Sequence, residues 1–600
     1  MVLIASSVLA YNYLSPQDLR LFSKNLLGAN IFIANIISYQ QTSYFDAASE
    51  IKPLLHLWSL SIEEQYYLLL PPLLLLCGKR TNKTAIAAIL ALIFIGVAFS
   101  EKTIYTNQRA AFFFLQYRAW ELLVGSLAAF MAHRKINVFS AHASQFSLMG
   151  FLLIVVPIFT YSNNTSFPGL AACLPTLGTA LLLVYTHRPS LTHKLLTLRP
   201  LTFIGLISYS LYLWHQPLFA FTRYNSTSSV SSVTMLGLIA LTIGLSYLTW
   251  LFIEKPFRDK QKFTRKSIIY IIASTTFVLS IGAIYTYKKN GFPGRFDSQY
   301  SQAFYPEKVT EERFCKFRSV DNSSKGVKVC YFGDVNSNQT VALIGDSHAT
   351  ALITGLDEEF VAHHIKGARF KVDDCPHQIP GMISGSPDVE RIQMSDSCLQ
   401  NYHVLQKHLS QTTDAIVISV RWAARLSPVQ NEIEHFYFDN AEGGLEIKPD
   451  VFNFAKDESG NWKTDGQAKR FAVSNFIQLF TSTQKQVLLV YPIPEVGWDL
   501  PRYNFVSYLT SGKVSPEVST LYTSFYARNR FPIQTLDGID AKNISRVMPE
   551  KIFCNSYISQ RCIAQKDYVP YYHDTNHLSL EGSKLVAREI YKSLNVKVEK

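Results

Sequence analysis

The stretch "VALIGDSHATAL", Val341–Leu352, decides how the second half of the chain is read. It opens as a buried strand, narrows to a tight turn at Gly345 and Asp346, and delivers Ser347 to the start of a helix. Further short apolar runs follow it: beside "TVALIG" at 340–345 stand "DAIVISV" at 414–420 and "QVLLVY" at 486–491, and the last element is a helix over about 579–594. Buried strands alternating with helices predict a parallel sheet with helices on both faces. Ligands of such sheets bind beyond the carboxyl ends of the strands, which is where Ser347 falls. A serine is a weak nucleophile until a base, oriented by a third group, lies within hydrogen-bond reach. "YYHDTNHLSLEGS" supplies a candidate pair, Asp574 and His577, just before the final helix. Each motif alone has a plainer reading, since "GDSH" suits many turns and Asp-x-x-His suits a helix cap or a metal site. Asp346 and His348 are read as stabilisers of the turn.

The chain as a whole has 600 residues, 48% of them hydrophobic, with a net charge of +12. Apolar runs long enough to cross a bilayer lie near 57–77, 84–99, 110–130, 147–160, 170–186, 201–222, 233–253 and 268–287, and later runs are too short. This predicts a multi-span helical membrane domain over 1–287, a linker or extension over 288–334 and a soluble domain over 335–600. The loops at 78–83, 131–146, 187–200 and 254–267 hold about 14 Lys and Arg, against about 3 in the alternate loops, so the first set is expected in the cytoplasm. The basic excess then reports topology and gives no reason to expect nucleic acid. The last span carries the soluble half outside. The cysteines point to the same compartment: Cys77 and Cys173 lie in apolar runs, whereas Cys315, Cys330, Cys375, Cys398, Cys554 and Cys562 form an even set in the soluble half. Neighbour pairing, 315 with 330, 375 with 398 and 554 with 562, is the simplest connectivity. No zinc spacing, calcium loop or glycine-rich phosphate loop appears, so no metal is expected, and "HHIKGARF" is read as surface.

Polar residues within apolar runs are costly unless they face a partner or water. "HLWSLSIEEQYYLLLPP" places His56, Glu63 and Glu64 at the outer end of one span, and "FFFLQYRAWELLVG" places Arg118 and Glu121 on one helical face. "SYSLYLWHQPLF" adds Tyr209, Tyr212 and His215, and "IEKPFR" ends a later span with Glu254. Together they suggest a polar cavity inside the bundle. The segment 25–39, "NLLGANIFIANIISY", reads as a re-entrant or interfacial helix.

These four strings resemble, in order, the signatures of the acyltransferase family 3 membrane proteins, which include O-antigen acetyltransferases. The resemblance covers about 1–290 and implies movement of an acyl group from a cytoplasmic acyl-CoA, typically acetyl-CoA, to a glycan across the membrane. It also implies a first span with a histidine and a basic residue about ten positions earlier. The first residues here resemble the end of the family's third span, which places the first two upstream of Met1.

The serine turn after a first strand together with Asp-x-x-His before a last helix resembles the SGNH (GDSL-like) hydrolases over about 335–595, and implies an α/β/α, flavodoxin-like domain. Carried over by position, Ser347 is nucleophile, His577 general base and Asp574 its orienter, with the Ser347 N–H as one oxyanion donor. The family's asparagine donor is replaced in "ISVRWAAR" by Arg421 and Trp422. The two resemblances imply a bacterial inner-membrane O-acyltransferase with its C-terminal domain in the periplasm. Its expected partners are an acyl-CoA donor, with no bound cofactor, the bilayer, and a glycan acceptor such as lipopolysaccharide O-antigen, free or lipid-linked. The alternatives are a membrane-anchored carbohydrate esterase and a transfer-inactive remnant.

Overall fold

The computed structural model describes residues 1–41, 49–76, 82–133, 142–162, 165–186, 190–226, 230–259, 261–306, 314, 316–320, 326–375, 378–384, 389–426 and 453–595. They divide into two compact units, Met1–Pro293 and Gly294–Lys600.

The first unit is helical. Four of its helices, Ile86–Phe113, Ala143–Thr160, Ser232–Arg258 and Arg265–Lys288, are long and apolar enough to cross a membrane by length and composition. The other expected spans are also helices, Leu57–Leu76, Leu115–His133, Cys173–Tyr185 and Arg199–Tyr224, but these are shorter or more polar. Two local expectations change. The loop expected at 100–109 is a continuation of the helix Asn82–Phe113, broken only at Asn107. No Gly or Pro interrupts 100–106, and the Asn107 side chain accepts the Ala110 N–H at 3.0 Å, which restarts the helix. The segment at 25–39 is two helices, Pro16–Asn30 and Ala34–Gln40, parted at Phe32, whose φ is +56°.

The second unit is built on a seven-stranded mixed sheet. Its strands are β1 (Arg318–Ser319), β2 (Val327–Gly333), β3 (Thr340–Gly345), β4 (Lys366–Val372), β5 (Ala415–Ser419), β6 (Gln486–Val490) and β7 (Ile544–Val547), in the spatial order β1-β2-β4-β3-β5-β6-β7. The five strands β3 to β7 are mutually parallel, and β2 joins β4 antiparallel. Taken in chain order, the parallel strands stand 2-1-3-4-5, the flavodoxin-like winding, whose direction reverses between β3 and β5.

Alternation along each strand feeds two cores. Ala342, Ile344, Ile416, Ile418, Val487 and Leu489 pack with Tyr402, Leu405, Phe476 and Phe480 of the helices Val389–Thr412 and Gly466–Thr481. Val341, Leu343, Val417, Leu488 and Val490 pack on the opposite face with Leu352, Ile353, Leu356, Val586 and Ile590, from the helices Ser347–Ala362 and Leu580–Lys592. Strands covered on both faces lose the polar alternation of half-exposed ones, which is why they read as continuous apolar runs.

Within the expected linker or extension over 288–334, Val327, Val329 and Phe332 are buried in the sheet, and Phe304 packs on Phe505. One further reading is corrected here. "HHIKGARF" is not surface, because most of it is β4, in which Arg369 is 1% exposed. The guanidinium of Arg369 donates to the carbonyls of Leu343, Phe370, Gly345 and Asp346, so a charged residue is accommodated inside the sheet by main-chain acceptors. Cys375–Cys398 and Cys554–Cys562 are disulfides and Cys173 is free, while Cys77 and Cys315, and with the latter the pairing of 315 with 330, lie outside the described residues.

Gly345 ends β3 with φ +142°, and a Cβ there would run into the carbonyl of Ser419 on β5. Gly345→Ala is therefore expected to cost at least about 2 kcal/mol and to lower the thermal midpoint of the purified chain. An unchanged midpoint would mean that the strand end relaxes freely.

Candidate active site

The reversal point between β3 and β5 opens a crevice at their carboxyl ends, and both strands deliver polar residues into it. From β3 the chain passes through Gly345 and the helix N-cap Asp346 to Ser347, the first residue of the helix Ser347–Ala362. The base loop comes from the opposite end of the sequence. It is carried by the final helix, which packs on the same sheet face as the serine's helix, and Ser583 Oγ of the final helix accepts the Gly355 N–H at 3.0 Å.

Ser347 Oγ lies 2.8 Å from His577 Nε2, and His577 Nδ1 lies 2.7 Å from Asp574 Oδ2. The structure therefore brings the three expected residues of the second unit into one chain of hydrogen bonds. The other oxygen of Asp574 accepts the N–H groups of Asn576 and His577 at 2.9 and 2.8 Å. Burial alone would raise the Asp574 carboxyl, but the hydrogen bond and charge of His577, with His573 beyond it, outweigh that and hold it below the usual carboxylate range. The ligating atoms of His573, Asp574 and His577 lie within 4.8 Å of one another.

Asp346 does not face the reacting atoms. Its carboxylate accepts the His348 N–H at 3.0 Å, the Arg421 N–H at 3.2 Å and the Arg425 guanidinium at 3.1 Å. Burial opposes its charge, yet Arg425 and then His348 keep its pKa below the ordinary value. The side chains that stand where an asparagine donor was expected are committed elsewhere as well. The Arg421 guanidinium makes a two-point pair with Glu495 at 3.0 and 2.8 Å, and Trp422 Nε1 donates to the carbonyl of Val490 at 2.8 Å. Glu495 is shared with Arg528 at 2.8 Å. Glu495, Arg528, Arg369 and Asn576 were not singled out in the sequence. The signal for Glu495 was its place in "YPIPEVG", just after the strand "QVLLV", where a residue of a parallel sheet faces the crevice.

In the first unit the expected residues form separate groups. His56 is buried, its ring 5.2 Å from that of Tyr212 and 5.4 Å from that of His215. The Tyr212 hydroxyl donates to the His56 carbonyl, and His215 Nδ1 lies 2.7 Å from the Tyr212 carbonyl. Tyr212 and His215 also line a recess with Leu211, Phe219, Ile239, Thr242 and Ile243. Arg118 and Glu121 pair at 2.7 Å, with the guanidinium over the rings of Trp58, Phe112 and Phe167. Glu63 is half-buried, whereas Glu64 and Tyr209 are exposed. Glu254 accepts from Ser210 at 3.2 Å and from Arg258 at 2.6 Å.

A serine, histidine and aspartate so joined, on a doubly wound sheet, form the hydrogen-bond arrangement that activates the nucleophile of serine hydrolases. The comparisons with known proteins give the family. Residues 314–592 match the model described as "SGNH domain (fused to AT3 domains)", and residues 10–251 match an "Acyltransferase domain". The chain thus carries an acyltransferase family 3 domain fused to an SGNH domain. It is 29% identical over 195 residues to an uncharacterized protein of Haemophilus influenzae, covering 31% of this chain and 78% of that one. It is 29% identical over 262 residues to the O-acetyltransferase OatA of Staphylococcus aureus, covering 41% of this chain and 43% of that one. To the putative peptidoglycan O-acetyltransferase YrhL of Bacillus subtilis it is 28% identical over 263 residues, with 40% and 41% covered. The chain therefore spans less than half the length of the two named acetyltransferases. No solved structure gives a significant match.

Glu495 is 3% exposed between two guanidinium groups. Burial works against its charge, but Arg421 and then Arg528 hold its pKa well below the usual range. Such a group stabilises fully above its unfolded pKa of about 4.3, and the contribution is lost as pH falls toward the folded value. Glu495→Gln is expected to cost about 3 kcal/mol at pH 7. The difference in urea midpoint from wild type should narrow below about pH 4. A difference that stays constant through that range would exclude the carboxylate charge as its source.

Proposed function

We propose that the protein is a membrane O-acyltransferase, with acetyl as the acyl group, acting on a hydroxyl of a cell-wall or surface glycan. The observation that carries this reading is the Ser347–His577–Asp574 hydrogen-bond chain in a sequence that also carries an acyltransferase domain. The similarity to the putative peptidoglycan O-acetyltransferase YrhL favours peptidoglycan as the acceptor, and lipopolysaccharide O-antigen or another lipid-linked glycan is the other acceptor of the same chemistry. The proposed donor is a cytoplasmic acyl-CoA, most simply acetyl-CoA. The proposed setting is a bacterial inner membrane with the SGNH domain on the outer side, supported by the charge of the loops and by the disulfides Cys375–Cys398 and Cys554–Cys562.

In the proposed reaction His577 Nε2 takes the hydroxyl proton of Ser347 as Oγ attacks the acyl carbonyl. The bond from that carbonyl to its carrier breaks, the carrier leaves with the proton from His577, and an acyl-serine ester remains. A glycan hydroxyl then gives its proton to His577 and attacks the ester; the bond from the acyl carbon to Oγ breaks, His577 passes the proton to Oγ, and Ser347 is restored with the acyl group on the sugar. Asp574 keeps the imidazole in the tautomer with its proton on Nδ1 and stabilises the imidazolium of each step. The Ser347 N–H, at a helix N-terminus, is a donor for the oxyanion. In the membrane domain, His56, Tyr212, His215 and the pair Arg118–Glu121 are the groups proposed to serve acyl passage.

Ser347→Ala and His577→Ala are each expected to lower glycan O-acetylation by about 10³-fold or more, with the protein still in the membrane. Alkali-released acetate from the glycan of cells carrying each variant measures this. Normal acetylation in both would remove Ser347 from the reaction. A full-length chain that cleaves acetyl esters rapidly, with no preference for glycan hydroxyls over water, would favour an esterase instead.

A further inference from the structure

We propose that His348, through its hydrogen bond to Asn576, is a positioning residue that keeps the nucleophile turn and the base loop in register during acyl transfer. The inference rests on the reading of Ser347 as nucleophile and goes beyond it.

The bond between Ser347 and His577 cannot itself fix their spacing throughout a reaction. Once Ser347 Oγ carries the acyl group it has no proton to share, and Nε2 of His577 must turn to the incoming hydroxyl. A second link that survives acylation is needed, and the residues next to the two reacting ones provide it. His348 is buried, and its Nε2 lies 3.1 Å from Asn576 Oδ1. The amide nitrogen of Asn576 is directed to Thr575 Oγ1 at 2.7 Å, which leaves Oδ1 facing the histidine. The imidazole must then carry its proton on Nε2 and act as the donor.

Both ends of this link are tied to the machinery. The His348 N–H is bound by Asp346, and the Asn576 N–H by Asp574, which is the oxygen that also binds the His577 N–H. The Thr575 carbonyl accepts the Gly497 N–H at 2.8 Å, which seats the base loop on the segment after β6. A shift of the latch therefore moves the base relative to the nucleophile. Burial first, with the charges of His577 and Arg421 opposing those of Asp346 and Glu495, lowers the His348 pKa to about 4, so the ring is neutral and its single donor stays on the latch at neutral pH. His348 has no part in the proton transfers.

The test uses the full chain in nanodiscs with p-nitrophenyl acetate as probe. His348→Ala and Asn576→Ala are each expected to lower kcat by roughly 10–100-fold with KM within about two-fold, since misplacement of reacting groups acts on the chemical step. The double variant should be no slower than the slower single one, because both break the same link. His348→Gln, whose amide N–H reaches about as far as Nε2, should regain most of the rate. Additive losses in the double variant, a His348→Gln as slow as His348→Ala at equal thermal midpoint, or a wild-type kcat in either single variant would overturn the latch. The Ser347→Ala control separates the two ideas. Without activity in Ser347→Ala, a wild-type rate in His348→Ala removes the latch alone; with wild-type activity in Ser347→Ala, the nucleophile reading falls and the latch with it.

Discussion

The buried carboxylate of Asp346 is the constraint on which the site of the second unit depends. It sits where β3 ends, and it must take up the N–H of His348 on one side and the N–H of Arg421, from the neighbouring strand, on the other. One group thereby closes the start of the serine's helix and ties together the two strands between which the winding of the sheet reverses. Burying a charge this deeply is costly without opposite charge, and Arg425 supplies it. Gly345 makes the arrangement possible by letting the main chain turn against Ser419 without a side chain. Arg369 then holds the carbonyls of Gly345 and Asp346 from β4. Ser347 is thus placed by main-chain and charged contacts that none of its own atoms makes.

The strands at 340–345, 414–420 and 486–491 and the final helix were legible because all are continuous patterns of burial, and burial is a property of composition over several residues. Ser347, Asp574 and His577 were legible for a different reason: their spacing within short motifs limits what each neighbour can do. What was not legible depends on distant pairing. β4 looked like a surface segment because Lys366, Arg369 and Lys371 raise its charge, and only the main-chain acceptors around Arg369 explain how it lies inside. β2 sat within an expected linker because an antiparallel edge strand needs a partner that sequence does not name. Glu495 and Arg421, 74 residues apart, meet only when β5 and β6 are neighbours.

The membrane unit shows the limit of reading polar residues one motif at a time. His56, Tyr212 and His215 come from two distant segments and do converge, whereas Arg118 and Glu121 pair with each other, the guanidinium lying against three aromatic rings. Glu64 and Tyr209, taken from the same motifs, are exposed. Helical spacing tells which residues share a face, but the partner across the bundle decides whether that face is a cavity, an ion pair or a surface.

On the proposed reading of Ser347 as nucleophile, the charges around it favour His577 as the destination for its proton. The acids of the site, Asp346, Glu495 and Asp574, are each held in the ionised form by an arginine or a histidine, and their low pKa values make them poor acceptors at neutral pH. His348 is suppressed by burial and uses its donor on Asn576. The guanidinium of Arg421 has no lone pair to offer. His577 remains, with Nε2 at hydrogen-bond distance from Oγ and Nδ1 engaged by a fixed anion. The dense network of buried ions, which contributes little to stability in many proteins, here commits Asp346, Glu495 and Arg421 to one another's neighbours and leaves Ser347 Oγ hydrogen-bonded to His577.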